Sequence, residues 1–283
     1  MKIGITYNPY KKEVEQAITE NLDNLDFIEL KHLESNLLHS KLKIIDKIPR
    51  KSMHVQYLSK QEKPTTLNLV SDETKEIISD KNSDIYKAFD ILDPFITSFH
   101  TGFSSKEIGT EGIDNHNYAV SEILPEKEVF RSIIESMKLI SKMLRKKGYK
   151  GKILIENLDY HPTGAYEYLC EPSFISRIAK NTNCGVLLDL AHTIISAHRF
   201  DMDVFDFVEK IGVDVIYEIH VNSPLYKNGE WYDINEPFYF SDEAKGILEY
   251  VLDKSPNKEL VITIECDKDV IKQIEMIRKE RGY

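Results

Sequence analysis

Residues 183–198, NCGVLLDLAHTIISAH, decide how the chain is read. Val186, Leu187 and Leu188 follow Cys184 and Gly185 as an unbroken apolar run. Such a run fits a strand buried on both faces. Asp189 then ends it, and His192 follows three residues later. A buried carboxylate without a partner is costly. Either hydrogen bonds satisfy the Asp and His, or a cation lies beside them.

The same grammar recurs along the chain. KIGITY (2–7), FIEL (27–30), MHVQYL (53–58), PFITSFH (94–100), KILIENL (152–158), CGVLLDL (184–190), VIYEIHV (215–221) and LVITIEC (260–266) are short apolar runs rich in β-branched or aromatic residues. Amphipathic stretches at helical spacing separate them. The clearest, EKEVFRSIIESMKLISKMLRKKG (126–148), opens acidic and closes basic before a glycine, as the helix dipole favours. Residues 31–52 predict no definite element. Eight strands alternating with helices predict parallel βα units, and 283 residues suit one eight-stranded barrel, typically about 250 residues. An open doubly wound sheet carries a Gly-rich phosphate loop after its first strand; here that loop is TYNPYKKE, without glycine. The expectation is an α/β fold, a single (β/α)8 TIM barrel over residues 1–283, with its site at the carboxyl ends of the strands.

Composition narrows the function. The net charge is −10, from 37 basic and 47 acidic side chains. That balance disfavours nucleic acid and anionic membranes as partners. Cys170, Cys184 and Cys266 show no CxxC or paired spacing, which predicts a reducing, cytoplasmic setting. No apolar run reaches 18 residues, so no transmembrane helix is expected. The opening MKIGITYNPYKK turns charged too early for a signal peptide. The sequence carries no signal for an oligomeric state.

Polar residues fall at the expected mouth. Strand three carries His54, strand four ends in His100, and strand five in Glu156. Strand six ends in Asp189 with His192 just beyond, strand seven in His220, and strand eight in Glu265; the loop after strand seven offers Asp233. Taken singly, a strand-end His is more often a satisfied polar group than a ligand, and a lone carboxylate is more often a helix cap. Together, eight such groups from six successive βα units are harder to explain without metal. The four carboxylates would crowd like charges, and the strand ends show no Lys or Arg to balance them. Two or three divalent cations are therefore expected. Imidazole and carboxylate without cysteine suit iron, zinc or manganese in a catalytic site. Glu156, Glu265 and His192 are the candidate catalytic groups. His161 fits either the mouth or a loop; His32, His39, His116 and His198 read as surface or helix residues. Trp231 and Tyr232 flank Asp233 and fit either a site wall or core packing.

The motifs SMHVQYL, SFHTG, ILIENL, LLDLAHT, EIHVNS and TIECD, in this order, resemble the xylose-isomerase-like barrel superfamily. Two of its branches hold several metals on such a set. In the endonuclease IV type of DNA repair enzyme, the pattern of His, His, Glu, Asp-x-x-His, His, Asp-x-His and Glu matches His54, His100, Glu156, Asp189, His192, His220, Asp233 and Glu265. The run from Glu171 to Pro224, including ISAHRF, resembles more closely the multinuclear non-haem iron-dependent oxidative enzymes of the methanobactin-biosynthesis type. That resemblance implies two or three metals, iron favoured, and oxidation of a peptide or small molecule. Metal-dependent phosphodiester hydrolysis and sugar isomerisation or epimerisation are the alternatives it leaves. The pattern's second loop His is here Asn235, a weaker donor to iron or zinc than imidazole, so a third metal is expected to be held most loosely. The first strand lacks the His-rich opening of the repair enzymes.

Overall fold

The computed structural model describes residues 1–60, 63–111 and 116–280. Eight parallel strands close into a barrel: β1 (Lys2–Tyr7), β2 (Phe27–Leu30), β3 (Lys51–Val55), β4 (Ile96–His100), β5 (Lys152–Glu156), β6 (Gly185–Asp189), β7 (Ile216–Val221) and β8 (Val261–Ile264). Each pairs with its neighbours in sequence, and β8 pairs with β1. All eight expected strands are present. The third differs in extent. It starts at Lys51 and stops at Val55, where its pairing with β4 ends. Tyr57 and Leu58 belong instead to an antiparallel hairpin, Tyr57–Lys60 with Lys63–Thr66. Two further hairpins follow β4 and β7: Ile108–Glu111 with His116–Ala119, and Ser223–Lys227 with Glu230–Glu236.

The segment without a predicted element holds a helix, Ser35–Ile45. Its sequence signal is weak because only Leu38 and Ile45 are fully buried and its N-cap Glu34 makes no capping bond. The expected long helix, Glu126–Lys146, is present, with Val129, Ile133, Met137, Ile140 and Leu144 buried on one face. Glu126 and Glu128 lie in its first turn and Arg145 and Lys146 in its last. No helix among the described residues is long and apolar enough to cross a membrane.

Alternation along each strand builds two cores. One face of the strands packs against the helices through residues such as Ile3, Ile28, Met53, Ile155, Leu188 and Ile262. The inner face closes on a smaller cluster of Phe27, Ile96, Leu154, Leu187 and Val261. Phe27 fills this floor so closely that a Cβ at Gly4 would lie 2.4 Å from its ring. Two residues further along the same strands the inner face turns polar: Glu29 above Phe27, Glu156 above Leu154, and Asp189 above Leu187. Register sets His100 beside Glu156 and Asp189 beside His220. The barrel thus has an apolar floor and an ionisable mouth.

Candidate metal centre

His54, Glu156, Asp189 and His220 are almost wholly buried at that mouth. His100 Nε2 lies 2.7 Å from Glu156 Oε2, and His54 Nε2 lies 3.3 Å from the same oxygen. His220 Nδ1 is 2.9 Å from Glu265 Oε1, 3.6 Å from Glu156 Oε1 and 3.7 Å from Asp189 Oδ2. His192 Nε2 is 3.3 Å from Asp233 Oδ2. All eight residues singled out from sequence therefore converge. Three sets of donor atoms lie close enough to share an ion: Glu29, His54 and His220; His54, His100 and Glu156; Glu156, Asp189 and His220.

Outer hydrogen bonds orient the imidazole rings. Ser98 Oγ lies 2.8 Å from His54 Nδ1 and 3.4 Å from the Met53 carbonyl. That leaves His54 Nε2 facing Glu156. His192 Nδ1 donates to the Asn157 carbonyl (2.8 Å), which turns Nε2 toward Asp233. His220 Nε2 donates to Glu29 Oε2 (3.1 Å), which turns Nδ1 toward Glu265, Glu156 and Asp189. This is the arrangement in which metal-binding histidines are usually held. Each ring nitrogen that faces these carboxylate oxygens needs either a proton of its own or a cation shared with them. Consistent with that, His54 Nε2, Glu156 Oε2 and His220 Nδ1 are buried and make no hydrogen bond. Buried polar atoms that make no hydrogen bond are rare, and here three converge.

The backbone supports this placement. Asp189 ends β6 and caps the helix Leu190–Arg199 by accepting from His192 N at 2.8 Å. Asn157, just past β5, accepts from Asp189 N (2.8 Å). Asn222, just past β7, donates to Asp189 Oδ2 (2.9 Å) and accepts from Ala191 N (3.0 Å). Strand ends and helix start are thereby locked together.

Burial and crowding set the protonation states. Burial raises Asp189 to about 7, opposed by His192 and assisted by Glu265, Asp233 and Glu156. Burial also raises Glu156, but His100 and His54 outweigh it and hold the carboxylate well below its ordinary range. His54 is pushed down to about 3, chiefly by burial. For His192 and His220 burial is outweighed by facing carboxylates, which raise both well above the ordinary imidazole value. Below them Glu218, which accepts from Thr263 Oγ1 at 2.6 Å, is raised by burial to about 8.

Several site residues were not anticipated. Glu29 is fully buried beside His220. Asp159 lies 3.9 Å from His192 Nε2 and pairs with His161 at 2.6 Å. Most consequential is Lys31, immediately after β2, whose ammonium pairs with Glu265. The expectation of a mouth without basic partners is therefore corrected: β2 and β8 both flank β1, so a long side chain beyond β2 reaches the end of β8. The alternation of FIEL offered the signal for Glu29, since it puts that residue on the face of Phe27.

A cavity of about 520 Å³ opens above these groups. Its lining includes His161, and also His32 and His116, which were expected at the surface. His32 stacks on Tyr57, and His116 stacks on His161 with ring centroids 4.7 Å apart. His198 behaves as expected of an exposed residue and pairs with Glu243. Trp231 stacks on His198, and Tyr232 pairs with Leu225 in its hairpin. Asn235 lines the cavity, in a left-handed conformation (φ 51°).

A family model described as RiPP precursor modification enzyme MbnB/TglH/ChrH matches residues 4–278. Among curated relatives, a UPF0276 protein of Psychromonas ingrahamii is 29% identical over 139 residues, covering 47% of this chain and 43% of the relative. One from Vibrio parahaemolyticus is 23% identical over 188 residues, covering 64% of this chain and 59% of the relative. The chain thus spans about half the length of these relatives. Among solved structures, a D-tagatose 3-epimerase-like protein superposes with a TM-score of 0.57 at 17% identity, covering 99% of this chain and 97% of that one. A family 2 AP endonuclease from Brucella melitensis gives 0.54 at 15%, covering 100% and 99%. At such identities the structural likeness shows the fold alone, a parallel eight-stranded βα barrel.

Proposed function

The chain belongs to the RiPP precursor modification enzyme MbnB/TglH/ChrH family, and we propose that it is an iron-dependent enzyme that oxidatively modifies a peptide. The observation that carries the metal is the convergence of His54 Nε2, Glu156 Oε2 and His220 Nδ1, all buried and without hydrogen bonds. The donor set, imidazole and carboxylate without thiolate, fits iron, with zinc or manganese as competitors. Bound there, iron would supply the one-electron and dioxygen chemistry that side chains lack.

His54, His100 and Glu156 would hold one ion. Asp189 and His220 would hold a second, with Glu156 contributing to both sets. His192 and Asp233 stand at the cavity side of the pair, where a substrate group would arrive. Ser98, Asn157 and Glu29 keep the three imidazoles oriented through their outer nitrogens. The 520 Å³ cavity is in the range of small-ligand pockets, about 300–1,000 Å³. It would admit one or two side chains of an extended peptide, not a folded domain.

The test combines metal analysis with mass spectrometry. Purified without oxygen, the chain should carry iron. After reconstitution with Fe(II), dioxygen exposure should change the mass of a short Cys-rich peptide encoded beside its gene. Abasic-site DNA and ketose sugars serve as controls for hydrolysis and isomerisation. A zinc-loaded chain that cleaves the DNA and leaves the peptide mass unchanged would defeat the proposal.

A further inference from the structure

His100 differs from the other imidazoles of the mouth. The outer nitrogens of His54, His192 and His220 are held by Ser98, Asn157 and Glu29, whereas His100 Nδ1 makes no hydrogen bond among the described residues. Its aim must come from the chain around it. His100 ends β4, and the loop beyond it brings Phe103 into the cavity wall. Asn68, only 3% exposed, holds that loop from the segment after the hairpin Tyr57–Thr66. Its Oδ1 accepts from Phe103 N (3.1 Å), and its Nδ2 donates to the carbonyls of Ser105 (2.8 Å) and Lys106 (3.3 Å). Oδ1 also accepts from Val70 N (3.2 Å), which fixes the turn that presents the amide. Gly102 permits the close approach. Its φ is 91°, and a Cβ there would lie 2.6 Å from Leu69 N and 2.9 Å from Asn68 Oδ1. Further along, Ser104 N donates to the Ala165 carbonyl (2.8 Å), and the Phe103 ring meets Tyr166 edge-on at 5.5 Å.

We infer that Asn68 is a positioning residue of this site: by clamping the loop at Phe103 and the turn at Gly102, it aims His100 at Glu156 and shapes that wall of the cavity. The inference rests on the metal reading proposed above, in which His100 is a ligand. Strand pairing sets His100 beside Glu156, but the pairing ends there, and the direction of the chain past His100 is set by the clamp. Ligand histidines are usually oriented by a partner on the outer nitrogen; for His100 the backbone takes that part. Asparagine suits the task because one amide offers two acceptor positions and two N–H groups, and all four are used. Truncation would leave Phe103 N and two carbonyls without partners in a buried place, which is costly, so the loop would move to find others. Gly102 is needed for the same reason, since a side chain at its positive φ would part the two segments.

Cobalt(II) titration of the metal-free chain, read by absorption, follows the affinities without requiring activity. Asn68→Ala should weaken the ion assigned to His54, His100 and Glu156 by about 10–100-fold, the usual effect of losing a group that orients a ligand. Gly102→Ala should do the same, and it stands in if Asn68→Ala fails to fold. Ser136→Ala is the control. Ser136 Oγ donates to the Leu69 carbonyl (2.7 Å) from the helix Glu126–Lys146, so its loss loosens the Asn68 segment without touching the β4 loop. It should lower the melting temperature and leave cobalt affinity unchanged. Wild-type affinity in Asn68→Ala or Gly102→Ala would overturn the positioning role and leave the metal reading standing. So would a Ser136→Ala chain that loses as much affinity as Asn68→Ala, since general loosening would then account for both. A chain that binds no cobalt, iron or zinc would defeat the metal reading. The aim of His100 is then read from nuclear magnetic resonance of the nitrogen-labelled imidazoles: the His100 signals should shift in Asn68→Ala while those of His198 stay in place, and unmoved His100 signals would overturn the inference.

Discussion

Asp189 shows how much one residue can be asked to do. It is a donor in the proposed metal site, and it also caps the helix Leu190–Arg199. Removing a capping side chain costs about 1 kcal/mol, so Asp189→Ala should lose metal and lower the melting temperature together. Asn caps nearly as well as Asp but offers no carboxylate, so Asp189→Asn should lose metal while the metal-free melting temperature is retained. An Asn variant that keeps full metal would show that Asp189 serves the cap alone, which elemental analysis beside a melting curve detects. Asp189 was legible because a carboxylate closing an apolar run contradicts its surroundings. His54, His100, Glu156, His192, His220 and Glu265 stood out for the same reason. Glu29 did not, because an acidic residue within a four-residue strand looks like ordinary alternation. Lys31 did not either, because its importance depends on reach across the barrel and not on any local pattern.

At the scale of elements, periodicity was a sound guide wherever an element is buried on a regular face. All eight barrel strands are of this kind, as is Glu126–Lys146. The hairpins were less visible. Tyr57–Lys60 continues the apolar run of β3 without a break in composition, and only pairing separates the two. Phe27 tests the layered barrel directly. Its ring plugs the floor against Ile96, Leu154, Leu187 and Val261, away from the ionisable layer. Phe27→Ala should cost about 3–5 kcal/mol through the cavity it leaves. Metal stoichiometry in the folded fraction should not change. Denaturant unfolding measures the first and elemental analysis the second; a loss of metal with little loss of stability would mean that the floor and the site are one layer.

The whole molecule carries its acidity inward as well as outward. The net charge is −10, and Glu29, Glu156, Asp189, Glu218 and Glu265 all lie within the barrel mouth or beneath it. A group whose folded pKa is raised contributes stability below its unfolded value and loses it as pH rises through the folded value. Asp189, raised by burial to about 7, and Glu218, raised by burial to about 8, both behave in this way. So do His192 and His220, where facing carboxylates outweigh burial. His54 and the depressed carboxylates Glu156 and Glu265 have the opposite sign. Their stability is lost only as pH falls through the acid range. Between pH 6 and pH 9 the raised groups dominate, so the metal-free chain should melt at progressively lower temperature as pH rises. Metal ions replace the departing protons and bind only the folded site, so they stabilise it by mass action. The melting temperature of the loaded chain should therefore stay nearly level over the same range, and the gap between loaded and stripped chains should widen. Scanning calorimetry at pH 6, 7.5 and 9, with and without chelator, measures that gap. A gap that narrows with pH would mean that the buried charges are balanced without metal.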